Sequence, residues 1–271
     1  MRKNNIILKI DLILFLTFFS SVLLAQNPYP SSSTNQPTME DLFSVKETFK
    51  YEVKYGFFKL GWVEVTLLSD TLYQGKVHKH ILTSIKSNNN VPLVGTEIDE
   101  FNSFFYTNED GLPVTSYYWK DNVDEEAYKE IEYEFDREAN VVRYKEEDDT
   151  RDTLDIVEPA TAGHIIFYFS RLFAGSNQST RLPVFVTKKS GFIVMENSST
   201  IEMRKYKPFD KEVATYLSTG STENIDGPFG FSGNFRAWFL ADDLRVPLEA
   251  RVKVLFGNAI VRLIEYNREE L

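Results

Sequence analysis

Between residues 130 and 135, Glu130, Glu132 and Glu134 alternate one for one with Ile131, Tyr133 and Phe135. A strand sends successive side chains to opposite faces, so this order gives one charged face and one apolar face. A helix would spread the three glutamates around most of its circumference and keep no dry side. The same period governs Phe49, Tyr51, Val53 and Tyr55, which alternate with Lys50, Glu52 and Lys54. Beyond a turn bracketed by Gly56 and Gly61 it continues through Val63, Val65 and Leu67. Further strands are expected over 80–86, 97–106, 114–119, 141–144, 182–187, 192–196, 200–206, 213–219, 235–240, 252–256 and 260–266. Gly257-Asn258 between the last two is a hairpin signal. A chain patterned in this way is mainly β.

One segment departs from the period. Over 161–174, Ile165, Phe169, Leu172 and Phe173 fall at helical spacing, with Thr161 placed as an N-cap and Gly175 as a stop. Ile166 and Phe167 widen the apolar face, which predicts a buried helix. Strands of similar character flank it, with no linker and no repeat of fixed period. The expected architecture is therefore one domain over 42–271: a single curved antiparallel sheet, barrel-like or half-barrel, with the 161–174 helix packed against it.

The first residues set the expected destination. Arg2, Lys3 and Lys9 precede an apolar run over 12–24, and Ala25 offers a small residue before Gln26. Basic, apolar and small residues in that order make a secretory signal peptide, 1–25, cleaved after Ala25. The run is shorter than the ~20 apolar residues a spanning helix needs. The processed chain is accordingly expected to be exported, most simply to a periplasm, and not to span a membrane. Residues 26–41 hold Pro, Ser, Thr and Asn with little apolar content, which predicts a disordered tether.

The chain has no cysteine. Neither a disulfide nor an acylated N-terminal Cys is available, so stability must come from burial. Loss of the leader removes three basic residues and one acid, which moves the formal charge from −10 to −12. Such a surface repels phosphate backbones and anionic lipid headgroups rather than gathering them, and nucleic acid is not an expected partner.

Motifs for chemistry are sparse. His78 and His80 share a strand face, but zinc takes three or four ligands and no third His or Cys lies nearby; His164 or carboxylates would have to be recruited. Glu146, Glu147, Asp148, Asp149 and Asp152 lack the alternation and the glycine of a calcium loop and read as a solvated hairpin tip. No Gly-x-Ser-x-Gly elbow occurs, and the glycine-rich stretch 227–233 has no lysine and opens no helix, so it is no phosphate loop. No catalytic residue, metal or cofactor is assigned. Rings are abundant, 22 Phe, 14 Tyr and 3 Trp, and Tyr117, Tyr118 and Trp119 put them on both faces of one strand. They either fill the core of a large sheet or line a cleft for an apolar ligand.

Two stretches resemble a known family. Phe49-Lys50-Tyr51-Glu52-Val53-Lys54-Tyr55-Gly56 with Gly61 is similar to the first hairpin of the exported bacterial proteins catalogued as domain of unknown function, family 3108. Ala237-Trp238-Phe239-Leu240-Ala241-Asp242-Asp243-Leu244-Arg245-Val246-Pro247-Leu248 resembles that family's late Trp…Asp…Arg-x-Pro stretch, and a closing strand with Leu263 follows. The likeness runs over about 48–266. It implies a periplasmic, mainly antiparallel β domain and carries no activity with it. Asp242 or Asp243 with Arg245 is expected to tie the start of a strand, with Pro247 at an edge or first position.

The expected function is a non-enzymatic envelope module that binds a lipid-like or amphipathic component. The alternative is an assembly partner that holds another envelope protein through a sheet edge or its acidic face; a glycan-acting enzyme comes third. His164, Tyr168 and Arg171 stand at i, i+4 and i+7, so on a continuous helix they share one stripe. That stripe either faces water or looks into a cleft, where Arg171 would take an acidic headgroup, Tyr168 the apolar part and His164 a hydrogen bond.

Overall fold

The computed structural model describes residues 35–90, 98–123, 128–146, 148, 150–156, 161–186, 188–225, 233–254 and 257–270. The expected leader with its cleavage position at Ala25, most of the tether, Glu147, Asp149 and most of the glycine-rich stretch lie outside the described residues.

Helix α1 (Met39–Phe43) leads into β1 (Val45–Tyr55), β2 (Phe58–Leu67), β3 (Thr71–Tyr73), β4 (Lys76–Ser87), β5 (Ile98–Thr107), β6 (Pro113–Asn122), β7 (Tyr128–Asp136), β8 (Val141–Glu146) and β9 (Arg151–Asp155). A helical segment containing α2 (Ile166–Phe169) follows. The chain continues through β10 (Ser179–Val186), β11 (Lys189–Arg204), β12 (Val213–Glu223), β13 (Asn234–Leu240), β14 (Pro247–Val254) and β15 (Gly257–Glu270). All fifteen strands form one antiparallel sheet in the order β10-β11-β12-β13-β14-β15-β1-β2-β4-β5-β6-β7-β8-β9, with β3 on β4. The first and last strands pair with each other, Val45 opposite Glu270 through Tyr55 opposite Ala259. From that seam two meanders run outward.

The sheet is not closed by a ladder. Side chains bring its two ends together instead. Phe185 of β10 meets Tyr133 and Phe135 of β7 edge-on, with ring centroids 5.2 and 5.8 Å apart. Its backbone N–H donates to the Thr161 carbonyl at 2.8 Å, and Lys188 pairs with Glu146 of β8. This is the barrel-like, incompletely closed sheet that the alternation predicts. On β7, Tyr133 and Phe135 are buried and Glu132 turns outward to Tyr117 and Lys145.

The helical segment crosses from one end of the strand order to the other over the sheet's inner face. It is not the continuous helix expected over 161–174. Gly163–Ile165 and Ser170–Leu172 are 3-10 turns on either side of the four-residue α2. Thr161 does not cap it, because its hydroxyl is paired with that of Thr115 at 3.0 Å. Packing decides the geometry: a Cβ on Gly163 would lie 2.5 Å from Val186 Cγ2, and Phe167 sits edge-on to Phe49 at 4.8 Å. Gly175 ends the segment with φ of +83°, as a C-terminal glycine should.

Other differences are local. The runs expected at 192–196 and 200–206 are one strand, β11, interrupted by a bulge between Asn197 and Ile201. Helix α1 lies partly within the expected tether and is held by a capping box in which Thr38 and Asp41 bond reciprocally. Pro247 takes the first position of β14, where its missing N–H costs no ladder bond. Arg245 does tie the chain, but to backbone: it donates to the carbonyls of Ala174 at 3.1 Å and Asn35 at 2.9 Å.

Candidate functional site

Because the helical segment spans the inner face, it leaves a cavity on each side. The first has a volume of about 310 Å³. Ile166 and Phe167 form one wall, and Val252, Phe235, Ala237 and Ile193 come from the sheet. Glu249 is the one charged residue among its described lining, and its carboxylate is engaged by Arg251 at 2.6 Å, Arg262 at 2.9 Å and Arg204 at 3.3 Å. The cavity is greasy because β13 and β14 turn every second residue inward. Two of those positions, Ala237 and Ala250, carry too little volume to fill the space between Phe235, Phe239 and the helical wall.

The second cavity is larger, about 730 Å³. Phe101, Tyr118, Tyr133 and Phe185 line it, with Thr83, His164 and a rim of Asp99, Lys120, Glu130 and Glu146. Tyr118 stacks on Tyr133 with centroids 5.3 Å apart and lies 5.6 Å from the His164 ring. Most of the rim charges are paired: Lys120 bridges Asp99 at 3.1 Å and Glu130, and Lys188 holds Glu146, while Asp148, also in the lining, accepts from the Thr150 N–H at 2.9 Å. Thr83 Oγ1 and both ring nitrogens of His164 are sealed from solvent without a hydrogen-bond partner among the described residues. Burial, with a smaller effect of His80, pushes His164 down to about 3. Its imidazole is therefore neutral at physiological pH, with one donor and one acceptor to offer.

The three residues of the expected stripe do not border one cavity. His164 lines the larger one. Tyr168 and Arg171 line neither, because the break from 3-10 to α and back rotates them into the core. Arg171 is fully buried and donates to Glu47 Oε2 at 2.7 Å, Glu47 Oε1 at 3.2 Å and the Leu244 carbonyl at 2.8 Å. Tyr266 adds a hydroxyl donor to Glu47 at 2.7 Å. Such a guanidinium is committed to a buried ion pair, so it is placed as a structural residue and not as a receptor for a headgroup. Tyr168 is equally buried, between Phe43 at 5.6 Å and Phe167 at 5.5 Å.

The two strand histidines face outward among rings. His78 contacts Ser116 Oγ at 2.7 Å and the Lys76 carbonyl at 2.9 Å, and His80 contacts Asn102 Oδ1 at 2.9 Å. Among the described residues no group of three or more His, Cys, Asp or Glu is placed to hold a metal. Tyr117 and Trp119 lie on that outer side with Phe104, whereas Tyr118 points inward. The three consecutive rings thus serve both faces of the sheet. The apolar cavity was the part hardest to read in sequence; its one signal is Ala237 and Ala250 standing where a filled strand face would carry large residues.

A family model described as protein of unknown function (DUF3108) matches residues 50–264. Among solved structures, the chain is similar to the beta-barrel-like protein of domain of unknown function DUF1849 from Brucella abortus. The two share 10% identity with a TM-score of 0.50, over 83% of this chain and 98% of the other, a likeness of fold. No curated protein matches.

Proposed function

The chain belongs to the DUF3108 family, and on that premise we propose that it is a non-enzymatic carrier in the cell envelope for an amphipathic component. The observation that carries this reading is the apolar cavity of about 310 Å³ beside the helical segment, within the range of ordinary small-molecule sites, ~300–1,000 Å³. An apolar void of that size forfeits packing contacts on every wall unless something apolar fills it. A short acyl or prenyl chain has the shape and chemistry to do so. The neighbouring cavity, with its Asp99–Lys120–Glu130 rim, offers polar groups for a head. The basic, apolar and small residues at the start of the chain support export to a periplasm, where such a component is met. Asp99, Glu130 and Glu146 of the rim are each held by a lysine, which is poor support for a glycosidase pair among them, in which the two carboxyls must act on substrate.

Filling the cavity is the test. An environment-sensitive apolar fluorophore should bind the parent, and Ala237→Phe, which places a ring inside the cavity, should abolish that binding while the thermal midpoint holds or rises. Binding unchanged in Ala237→Phe and in Ala250→Phe would remove the carrier reading.

A further inference from the structure

We infer that the β1–β2 hairpin tip docks this protein on a lipid bilayer, with the mouths of the two cavities turned toward the membrane. Phe57 is fully exposed, at 103%, and Phe58 follows at 57%. Tyr55 pairs with Phe58, so the connection is two residues long, and Gly56 takes its first position with φ of +55°. Tight hairpins favour glycine, asparagine or aspartate in such loops. Here the second loop position holds a phenylalanine whose side chain has nothing to pack on. A large apolar residue so placed gains nothing in the fold and gains a good deal at an interface between water and lipid.

The surroundings suit a bilayer rather than a protein groove. Lys54 and Lys59 share the single carboxylate of Glu52, at 2.6 and 2.5 Å, which leaves a positive charge over at the tip of a chain whose net charge is −10. Lys59 also lies 4.4 Å from the Trp62 ring centre. Phenylalanine at the tip, with tryptophan and lysine behind it, is the order in which these side chains partition into the acyl region and the headgroup region.

Register fixes the direction. Tyr55 at the hairpin tip pairs with Ala259 of β15, Ala259 with Val252 of β14, and Val252 with Phe235 of β13. Val252 and Phe235 line the apolar cavity. On the other side Gly61 pairs with Ser87 at the end of β4, and Ile85 pairs with Asp99 at the start of β5, both of which line the larger cavity. Each cavity therefore has part of its lining toward the end of the sheet that carries the tip. The opposite end carries the Gln74-Gly75 turn, with Leu72 and Val77 exposed at 72% and 61%. Docking by the tip would let an apolar chain pass from the bilayer to the cavity without crossing water. This inference rests on the carrier reading only for its purpose; the docking itself stands on the tip.

The absence of cysteine permits a clean test with the full chain. Phe57→Cys and Leu72→Cys would each be labelled with an environment-sensitive fluorophore and mixed with vesicles of phosphatidylethanolamine containing a minority of phosphatidylglycerol. The label at 57 should shift to the blue and become protected from an aqueous quencher, and the label at 72 should do neither. Adding Phe58→Ser should weaken the response at 57 by roughly tenfold in lipid concentration. A label at 57 that stays in water, or equal responses at 57 and 72, would overturn the inference. An apolar fluorophore offered without vesicles reads the cavity separately, so failure of docking and failure of the carrier function give different results.

Discussion

Arg171→Met should destabilise the domain by about 3–5 kcal/mol, the cost of leaving one member of a buried ion pair unpaired. The reasoning begins with Glu47. Its carboxylate has no access to water, and Arg171 supplies two of its hydrogen bonds, at 2.7 and 3.2 Å. Methionine fills much of the same volume but donates nothing, so Glu47 keeps only the Tyr266 hydroxyl, and the Leu244 carbonyl loses its donor as well. Domains are stable by about 5–15 kcal/mol in all, so this one change removes about a fifth of the total at the least. For a domain of this size, with a sensitivity of about 2–4 °C per kcal/mol, the midpoint should fall by roughly 6–20 °C. Urea and thermal unfolding, followed by circular dichroism, measure it. The double variant Glu47→Leu/Arg171→Met removes both charges and should recover more than half of the loss, because no buried carboxylate remains to be satisfied. A single variant within about 0.5 kcal/mol of the parent, with binding of an acidic amphiphile lost instead, would refute the structural assignment of Arg171 and return it to a ligand site.

Tyr133→Asp should unfold the domain or cost more than about 4 kcal/mol, while Glu132→Ala should cost no more than about 1 kcal/mol; denaturant midpoints compare a buried ring with an outward carboxylate on the same strand. His164 titrates near 3 when folded and near its ordinary 6.5 when unfolded. Below about 6.5 the unfolded chain therefore takes up a proton the folded one does not, and stability falls with pH by about 2 kcal/mol at pH 5. His164→Leu should lack that loss, so melting of parent and variant at pH 7 and pH 5 isolates it. Asp242 acts in the opposite sense. Burial first of all lifts it to about 6, so the folded chain binds the extra proton between about 6 and 3.8 and gains stability as pH falls through that window. Asp242→Asn should remove the gain, seen as a steeper acid loss than in the parent.

The strands were legible because one residue type decides each step. Ile131, Tyr133 and Phe135 could only share a face, and β7 places Tyr133 and Phe135 in one core cluster with Phe185 of β10, with Ile131 packed against it. The partner across that core, 50 residues further along the chain, was not legible, since alternation says which face is dry and not which strand lies opposite. The stripe of His164, Tyr168 and Arg171 misled for a related reason. Helical spacing assumes a regular helix, and four residues of α2 between 3-10 turns do not keep the angle between positions 164 and 171. Glu47 was equally hidden. It alternates with Phe49 and Tyr51 and so sits on their inward side, but a lone acid on an apolar face names no partner 124 residues away. The cavities are absences of volume, which a sequence records only as small residues such as Ala237 among large ones.

The pairing of β1 with β15 has a consequence for how the molecule is made. Within each meander, neighbouring strands follow one another in the chain and can zip as hairpins while it emerges, at little loop-closure entropy. The central seam is different: Val45 waits for Glu270, and Tyr55 for Ala259. Until the last segment of the chain is present, β1 and β14 each show an unpaired edge in the middle of what will become the sheet, the kind of edge that recruits other chains. Assembly therefore has a slow final step of long range, and a chain cut before residue 257 should survive as two sticky half-sheets and not as a slightly weakened whole.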